Sequence, residues 1–575
     1  MLLFASLIVL FGVVRTDEPL RPQYHLMPVK NWLNDPNGPV YFNGYYHMFF
    51  QYNPNAAVWG DMHWAHSYSK DMVHWIHLPI ALAPDQPYDT NGIFTGSITI
   101  VDGIPIIIYT GITHDNQQVQ CQAQPANISD PTLTTWIKSS LNPLITYPNG
   151  RDPSTAFQDN EKNYYLIYGY GTDELGGQAV LFISKDFSNW TYLHPIHSNR
   201  YDKFWECPDI FNITNRVVLK ASLLGRDFWT IGDIDPNQLI FIPIDHDLGE
   251  FVQLIDHGKF YASKTFYDPM NDQQIIMGWT SEDDNLGPQR GWQGFHTLPR
   301  AIFLSEDGLE LRSRPIEALR TLRDSQSHRH FNDIILPREL PFQLIPNVNG
   351  NQIEIEINWQ FPMNQNLDFG LIVLSTPDGT QRTNVGITSR NNTTVMMNWD
   401  LPGWDYLSVP NISESSGCQL SCNRDNRCQA WTFVKDQQIN KNCFLKSGVP
   451  FLISNLDCVS GVKQRENNEQ IIWVYMNRTL SQKNPNAAHG PIHAPVWLEA
   501  TSTNNQWFLQ LDIFVDHSVI EIFEPQQGRF AITGRVYPEE DNANNLAVYV
   551  NNASSNNENI IVNTIDIWNL NTIWA

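Results

Sequence analysis

The sequence predicts an all-β protein: a five-bladed β-propeller followed by a β-sandwich, with a small disulfide-rich module inserted in the sandwich. Three observations carry this expectation. A unit of turn plus apolar strand recurs five times before residue 280. Beyond residue 350, short segments alternate apolar and polar side chains with a period of two. Five of the seven cysteines fall between Cys418 and Cys458.

The recurring strands are Tyr45 to Tyr52, Pro105 to Gly111, Tyr164 to Gly171, Val217 to Leu224 and Ile275 to Trp279. Each follows a short polar and aromatic segment. Those segments hold Asp35, Phe94-Thr-Gly-Ser97, Arg151-Asp-Pro153, Glu206-Cys-Pro-Asp209 and Ser263-Lys-Thr265. From Asp35 to Phe94, Asp152, Glu206 and Ser263 the steps are 59, 58, 54 and 57 residues. That is room for four strands and their loops, the unit of a propeller blade. If each segment opens the innermost strand of its blade, Asp35, Asp152 and Glu206 converge on the central channel. The propeller is placed at 22–323, and the polar stretch 324–334 reads as a linker. The sandwich follows at 335–575. In Ile353-Glu-Ile-Glu-Ile357 the alternation is plain, so one sheet face is buried and the other wet.

Asn31-Trp-Leu-Asn34-Asp35-Pro36-Asn37-Gly38 begins the first unit. Asp-Pro-Asn-Gly forms a tight turn, with Pro fixing φ and Asn-Gly supplying positive φ. Taken alone, Asp35 is equally well read as the cap of its own turn. The net charge of −24 excludes nucleic acid and anionic membrane as natural partners and favours a neutral ligand. Trp (19), Tyr (21) and Phe (29) are plentiful, which suits strands and stacking on sugar rings.

The apolar run at 1–16 reads as a signal peptide, too short for a comfortable membrane span, with an uncleaved anchor as the alternative. Eight N-x-S/T sequons, at Asn127, Asn189, Asn212, Asn391, Asn392, Asn411, Asn477 and Asn552, fit a secreted glycoprotein. A secreted, vacuolar or lysosomal location follows, without a membrane span after cleavage. In that compartment the clustered cysteines imply a disulfide-stapled module at 397–464. Zinc is the alternative, but no clean pair of C-x-x-C spacings is present. His63 and His66 read as packing or hydrogen-bonding residues. No metal or other cofactor is expected.

Converging carboxylates are what glycosidic bond cleavage requires: one protonates the leaving oxygen, and another attacks the anomeric carbon or activates water. The donor needs a raised pKa, and Glu206 sits in the apolar run Trp205, Cys207, Pro208. Together the segments resemble glycoside hydrolase family 32, the invertases, inulinases, levanases and fructan exohydrolases. The matching motifs are Trp32-Leu-Asn-Asp-Pro-Asn-Gly38, Phe50-Gln-Tyr-Asn-Pro54, Phe94-Thr-Gly-Ser97, Arg151-Asp-Pro153, Glu206-Cys-Pro-Asp209 and Tyr261-Ala-Ser-Lys-Thr-Phe266. In the sandwich, Val515-Asp-His-Ser518, Glu521-Ile-Phe523 and Arg535-Val-Tyr-Pro538 fit as well.

The resemblance implies a retaining enzyme that cleaves β-fructofuranosidic bonds of sucrose or fructans through a covalent fructosyl-enzyme. It implies Asp35 as nucleophile, Glu206 as acid/base and Asp152 as stabiliser of the transition state. Arg151 and Asp209 would tune Glu206, and Asn34, Gln51, Trp59, Phe94 and Ser97 would line the fructosyl subsite. A fructosyltransferase sharing the intermediate is the alternative, and an inactive fructan-binding lectin a remoter one. Two departures stand out: Leu33 where Met is common, and a segment Ala221 to Asp227 lacking the Asp-Asp-x-Lys-like signature of sucrose preference in plant relatives. The cysteine spacing with Pro402-Gly-Trp-Asp-Tyr406 and Cys428-Gln-Ala-Trp431 resembles a PAN/apple domain. That likeness implies Cys418–Cys443 and Cys422–Cys428 pairs, leaves Cys458 unassigned, and suggests a glycan or protein ligand for the insert.

Overall fold

The structure, a computed structural model, describes residues 18–574 except 200–201, 245–252, 337–339, 363–366, 390–394, 401–404, 411–417, 420, 423–427, 429, 435–440, 447–452, 463–469, 483–489, 499–505 and 553–558. The expected signal peptide and the sequons at Asn391, Asn392 and Asn411 lie outside the described residues. So does the side chain of Asn552. Asn127, Asn189 and Asn212 are exposed, and Asn477 is half-buried. No helix among the described residues is long and apolar enough to cross a membrane.

Five antiparallel sheets form the propeller. Blade I comprises Asn31–Phe42, Tyr45–Asn53, His63–Ser69 and Trp75–Leu82. Blade II comprises Ile93–Val101, Ile104–Ile112, Gln118–Pro125 and Trp136–Lys138. In blade III the inner edge is a bridge from Arg151 to Gly169 and the short Phe157–Gln158, then Tyr164–Thr172, Gly176–Ser184 and Thr191–Asn199. Blade IV is built on Glu206–Ile213, Arg216–Leu223 and Arg226–Ile234. Blade V is built on Tyr261–Asp268, Gln273–Thr280, Arg300–Leu304 and Leu311–Pro315. After blade V's second strand, Trp292–Gln293 pairs in parallel with Asn31–Trp32, which joins blade V to blade I.

The recurring apolar runs are the second strands, and their composition follows from burial on both faces. Ile107 and Tyr109 pack with Phe49 and Trp64 of blade I. Ile106 and Ile108 pack the other way, on Leu166 and Tyr168 of blade III. Tyr165 and Ile167 meet Leu219 and Phe228 of blade IV. Val218 in turn meets Ile276 and Ile302 of blade V.

The sandwich packs two six-stranded sheets, with Gln352–Pro362, Gln506–Asp516 and Ile561–Asn569 central in one and Leu367–Ser375 and Thr383–Ser389 in the other. Inward residues such as Ile353, Ile355, Ile357, Leu371 and Val474 form one core. The expected linker at 324–334 is shorter than its polarity suggested. Arg329–Ile335 forms an edge strand against Ile561–Asn569, so the sandwich begins inside that stretch. An exposed edge strand buries little, which is why it lacks an apolar pattern. Thr383–Ser389 and Gln470–Asn477 are hydrogen-bonded neighbours. Everything between them is an insertion, and it forms its own sheet from Val395–Asp400 to Ile453–Val462. Disulfides join Cys418 to Cys443 and Cys422 to Cys428, with Cα separations of 5.4 and 5.2 Å. The side chain of Cys458 lies outside the described residues.

Propeller and sandwich are joined by buried charge. His25 Nδ1 lies 2.7 Å from Asp516 and its Nε2 3.0 Å from Glu521, all fully buried. Glu521 also accepts from Arg300 (2.7 Å) and from the Leu298 amide (2.9 Å), and Arg300 reaches Asp256 at 2.8 Å. Burial opposes a charge on His25, but hydrogen bonds to two carboxylates more than offset this and raise its pKa above 6.5. A raised folded pKa gives stability that is fully present below the unfolded value. That stability is lost as pH rises through the folded value. Melting temperature is therefore expected to fall as the pH is raised above 6.5 through the folded value. His25→Gln should cost about 3–5 kcal/mol at pH 5 and flatten that dependence; an unchanged pH slope would contradict the assignment. Because the insertion leaves between two paired strands, replacing 397–464 by a short Gly/Ser loop should keep a cooperative melt, checked by calorimetry.

Candidate active site

The inner strands of blades I, II, IV and V each carry a register shift at their first residues. The shifts fall between Leu33 and Pro36, Ile93 and Gly96, Glu206 and Asp209, and Tyr261 and Lys264. Such bulges insert an extra residue and re-aim side chains. Cys207 and Ala262 take positive φ (45° and 52°), and Asp152 does so in blade III (68°). Pro36 and Pro208 sit in the bulges, where a missing N–H breaks no ladder bond. The result is a ring of side chains at one mouth of the channel.

Asp35 Oδ1 accepts from Asn34 Nδ2 (3.1 Å), and Oδ2 accepts from Thr95 Oγ1 (2.5 Å). Gln51 donates to Thr95 Oγ1 (2.5 Å) and lies 3.5 Å from Asp35. Trp32 Nε1 fixes Asn34 at 2.7 Å. Asp152 is buried; its carboxylate accepts from the Cys207 amide at 2.9 Å. The Cys207 thiol lies 3.6 Å from both Asp35 and Asp152, so one sulfur bridges the two acids. Burial and the charge of Asp152 push Asp35 up to about 7, against the pull of Thr95 and Asn34. Burial also raises Asp152, opposed mainly by Arg151.

Glu206 is held differently. Arg151 Nη2 approaches it at 2.5 Å and the Tyr261 hydroxyl donates to its other oxygen. Arg151 itself lies over the Phe204 ring, 4.1 Å from its centroid. The apolar surroundings expected from Trp205 and Cys207 are not what the carboxylate meets. Trp205 is buried in the blade core and the Cys207 thiol is turned to Asp35 and Asp152, while the Glu206 side chain is one-third exposed.

Asn34 and Gln51 thus lie against Asp35, and Arg151 against Glu206. Trp59, 58% exposed, meets Phe94 edge-on at 5.8 Å, and neither is bonded to a carboxylate. Ser97 donates instead to the Pro153 carbonyl (2.8 Å). Asp209 is buried and accepts from Thr265 N and Oγ1 (2.9 and 2.7 Å), so it ties blade IV to blade V and does not touch Glu206. Thr95 and Tyr261 were not singled out by sequence, although Thr95 stands between Phe94 and Ser97. His66 stacks on Phe49 at 3.9 Å and His63 bonds the Asp61 carbonyl, a packing and hydrogen-bonding role. Among the described residues no group of three or more His, Cys, Asp or Glu is arranged to hold a metal.

The family model for the glycosyl hydrolases family 32 N-terminal domain matches residues 25–315, and that for the C-terminal domain matches 465–569. The chain belongs to glycosyl hydrolase family 32. A PAN-domain model matches 399–446, inside the insertion. The chain is 33% identical over 592 residues to a β-fructofuranosidase, insoluble isoenzyme CWINV3, of Arabidopsis thaliana, covering 96% of this chain and 90% of that protein. It is 32% identical over 600 residues to a fructan 6-exohydrolase of Beta vulgaris, covering 97% and 88%. The crystal structure of fructan 1-exohydrolase IIa from Cichorium intybus superposes with a TM-score of 0.76 at 26% identity, covering 96% and 98%.

Tyr261→Phe removes a bond to Glu206 while preserving the ring. It is expected to lower glycosidase kcat about tenfold with little change in melting temperature, as a hydrogen bond to a charged group is worth about 1.5–3 kcal/mol. Steady-state kinetics beside calorimetry checks both.

Proposed function

We propose that this family 32 enzyme hydrolyses β-fructofuranosidic bonds of sucrose or fructans by double displacement, with Asp35, Glu206 and Asp152 as its catalytic residues. The observation that carries the proposal is one thiol bridging Asp35 and Asp152 while Glu206 stands apart on an arginine and a tyrosine. Two acids are thereby distinct in environment, as the two roles require. In the first step an Asp35 oxygen bonds to the anomeric carbon, and the bond to the leaving oxygen breaks. Glu206 passes its proton to that oxygen, and the freed sugar departs. In the second step Glu206, now ionised, takes a proton from water. The water oxygen bonds to the anomeric carbon and Asp35 leaves as carboxylate.

Asp152 holds fructosyl hydroxyls, contacts that tighten as positive charge develops on the ring. Arg151 and Tyr261 position Glu206, and the exposed Trp59 and the half-buried Phe94 offer apolar faces to the sugar. Curated relatives named β-fructofuranosidase and fructan 6-exohydrolase support this substrate class. So does a solved structure of the Cichorium enzyme in complex with 1-kestose.

Asp35→Ala and Glu206→Ala are each expected to cut kcat on sucrose on the order of 10^4-fold with unchanged circular dichroism; near-normal turnover would overturn the roles. Thr95→Val removes a bond that favours ionised Asp35, so the Asp35 pKa rises. The acid limb of the kcat/KM profile should then move to higher pH by about one unit.

A further inference from the structure

Outside the channel, a cavity of about 400 Å³ lies between blades I and II. Its walls are the last residues of the Trp75–Leu82 strand, the connection that follows, and the end of the Trp136–Lys138 strand. Strand direction fixes which face this is. The inner strand of blade I starts at the carboxylates, the second returns to them, and the fourth returns again. The connection 83–92 therefore lies on the catalytic face, and it runs straight into Phe94 and Thr95. The same count places Ser139 and Ser140 on that face.

The lining is polar and its one cation is spent. Lys138 Nζ donates to the Ala83 carbonyl (2.6 Å), Asp85 (2.7 Å) and Asp89 (2.6 Å), which uses all three of its N–H bonds. Two carboxylates on one ammonium leave the cavity with a surplus negative charge, so an anion is disfavoured. What remains is neutral hydrogen-bonding capacity beside aromatic rings. Gln86 and Ser140 are exposed, and the Ser139 hydroxyl accepts from the Leu141 amide (3.1 Å), leaving its proton to donate. Asp85, 62% exposed at its side chain, takes side-chain hydrogen bonds from Lys138 and Gln86. Tyr88 contributes a half-buried ring. Trp136, 8% exposed, lines the cavity and packs edge-on against Phe49, with its indole N–H buried.

We propose that this cavity is a second carbohydrate site on the catalytic face, taking one neutral sugar unit by its hydroxyls. The ligand is either a remote unit of a polymeric substrate or a free small sugar, which share that chemistry. The proposal rests on the function proposed above only for the choice of probe.

The test is isothermal titration of the full chain carrying Asp35→Asn, with sucrose and separately with short inulin oligosaccharides. Two sites per chain are expected, the outer one abolished by Ser140→Trp, which fills the cavity from its rim. Gln86→Ala should weaken the outer site at least fivefold and leave the channel site alone. With Asp35 intact, neither variant should change kcat or KM for sucrose, which separates failure of this site from failure of the catalytic assignment. A second site filled by the oligosaccharides alone identifies polymer; one filled by sucrose too identifies small sugars; both uphold the proposal. One site per chain with both sugars, an outer site that survives both substitutions, or displacement of sugar by inorganic phosphate overturns it.

Discussion

A carboxylate has to leave its strand's ordinary alternation to face a propeller channel beside its neighbours, and a repeated irregularity at the same place in the blades accomplishes this. In four inner strands the ladder slips within the first residues, and in blade III Asp152 turns on a positive φ. Closing five blades then brings Asp35, Asp152 and Glu206 together from strands far apart in sequence. Burial raises Asp35 and Asp152, and like charges at close range, which resist joint ionisation, add to that rise. Arg151, Thr95 and Asn34 limit that rise. Backbone irregularity of this kind is costly in isolation and persists because the blade cores on either side fix it.

The sandwich contributes to the propeller's geometry through buried contacts. Its motifs around Asp516, Glu521 and Arg535 meet the propeller in buried ion pairs, Arg535 with Glu282 at 3.0 Å among them. Glu282 in turn accepts from the Gly294 amide (2.6 Å), and Gly294 backs onto the Leu33 carbonyl beside Asp35. At Gly258 the propeller backbone lies against the Thr533 carbonyl, where any side chain would overlap it. The insertion departs from and returns to two adjacent strands of the sandwich.

The fold was legible in sequence because second strands buried on both faces must be apolar throughout, and that signal repeats at nearly constant spacing. The three acids were legible because they fall at one phase of the repeat. The edge strand Arg329–Ile335 was not, since an exposed strand leaves no apolar pattern. Nor was the environment of Glu206: adjacency to Trp205 and Cys207 says nothing of orientation once a bulge turns the chain. The hydrogen-bond partners of Ser97 and Asp209 were not legible either, for a related reason. Both lie in motifs that face the channel, yet their side chains tie neighbouring blades together. Thr95 and Tyr261 lie within motifs legible in the sequence, but their bonds to Asp35 and Glu206 emerge only when distant strands are brought side by side.

The central claim is that Asp35 forms the bond to the sugar. Rapid acid quenching during sucrose turnover, followed by peptide mass mapping, tests it directly. A fructosyl unit on the peptide carrying Asp35 is the predicted result. The same label on a peptide carrying Asp152 or Glu206 would contradict the account.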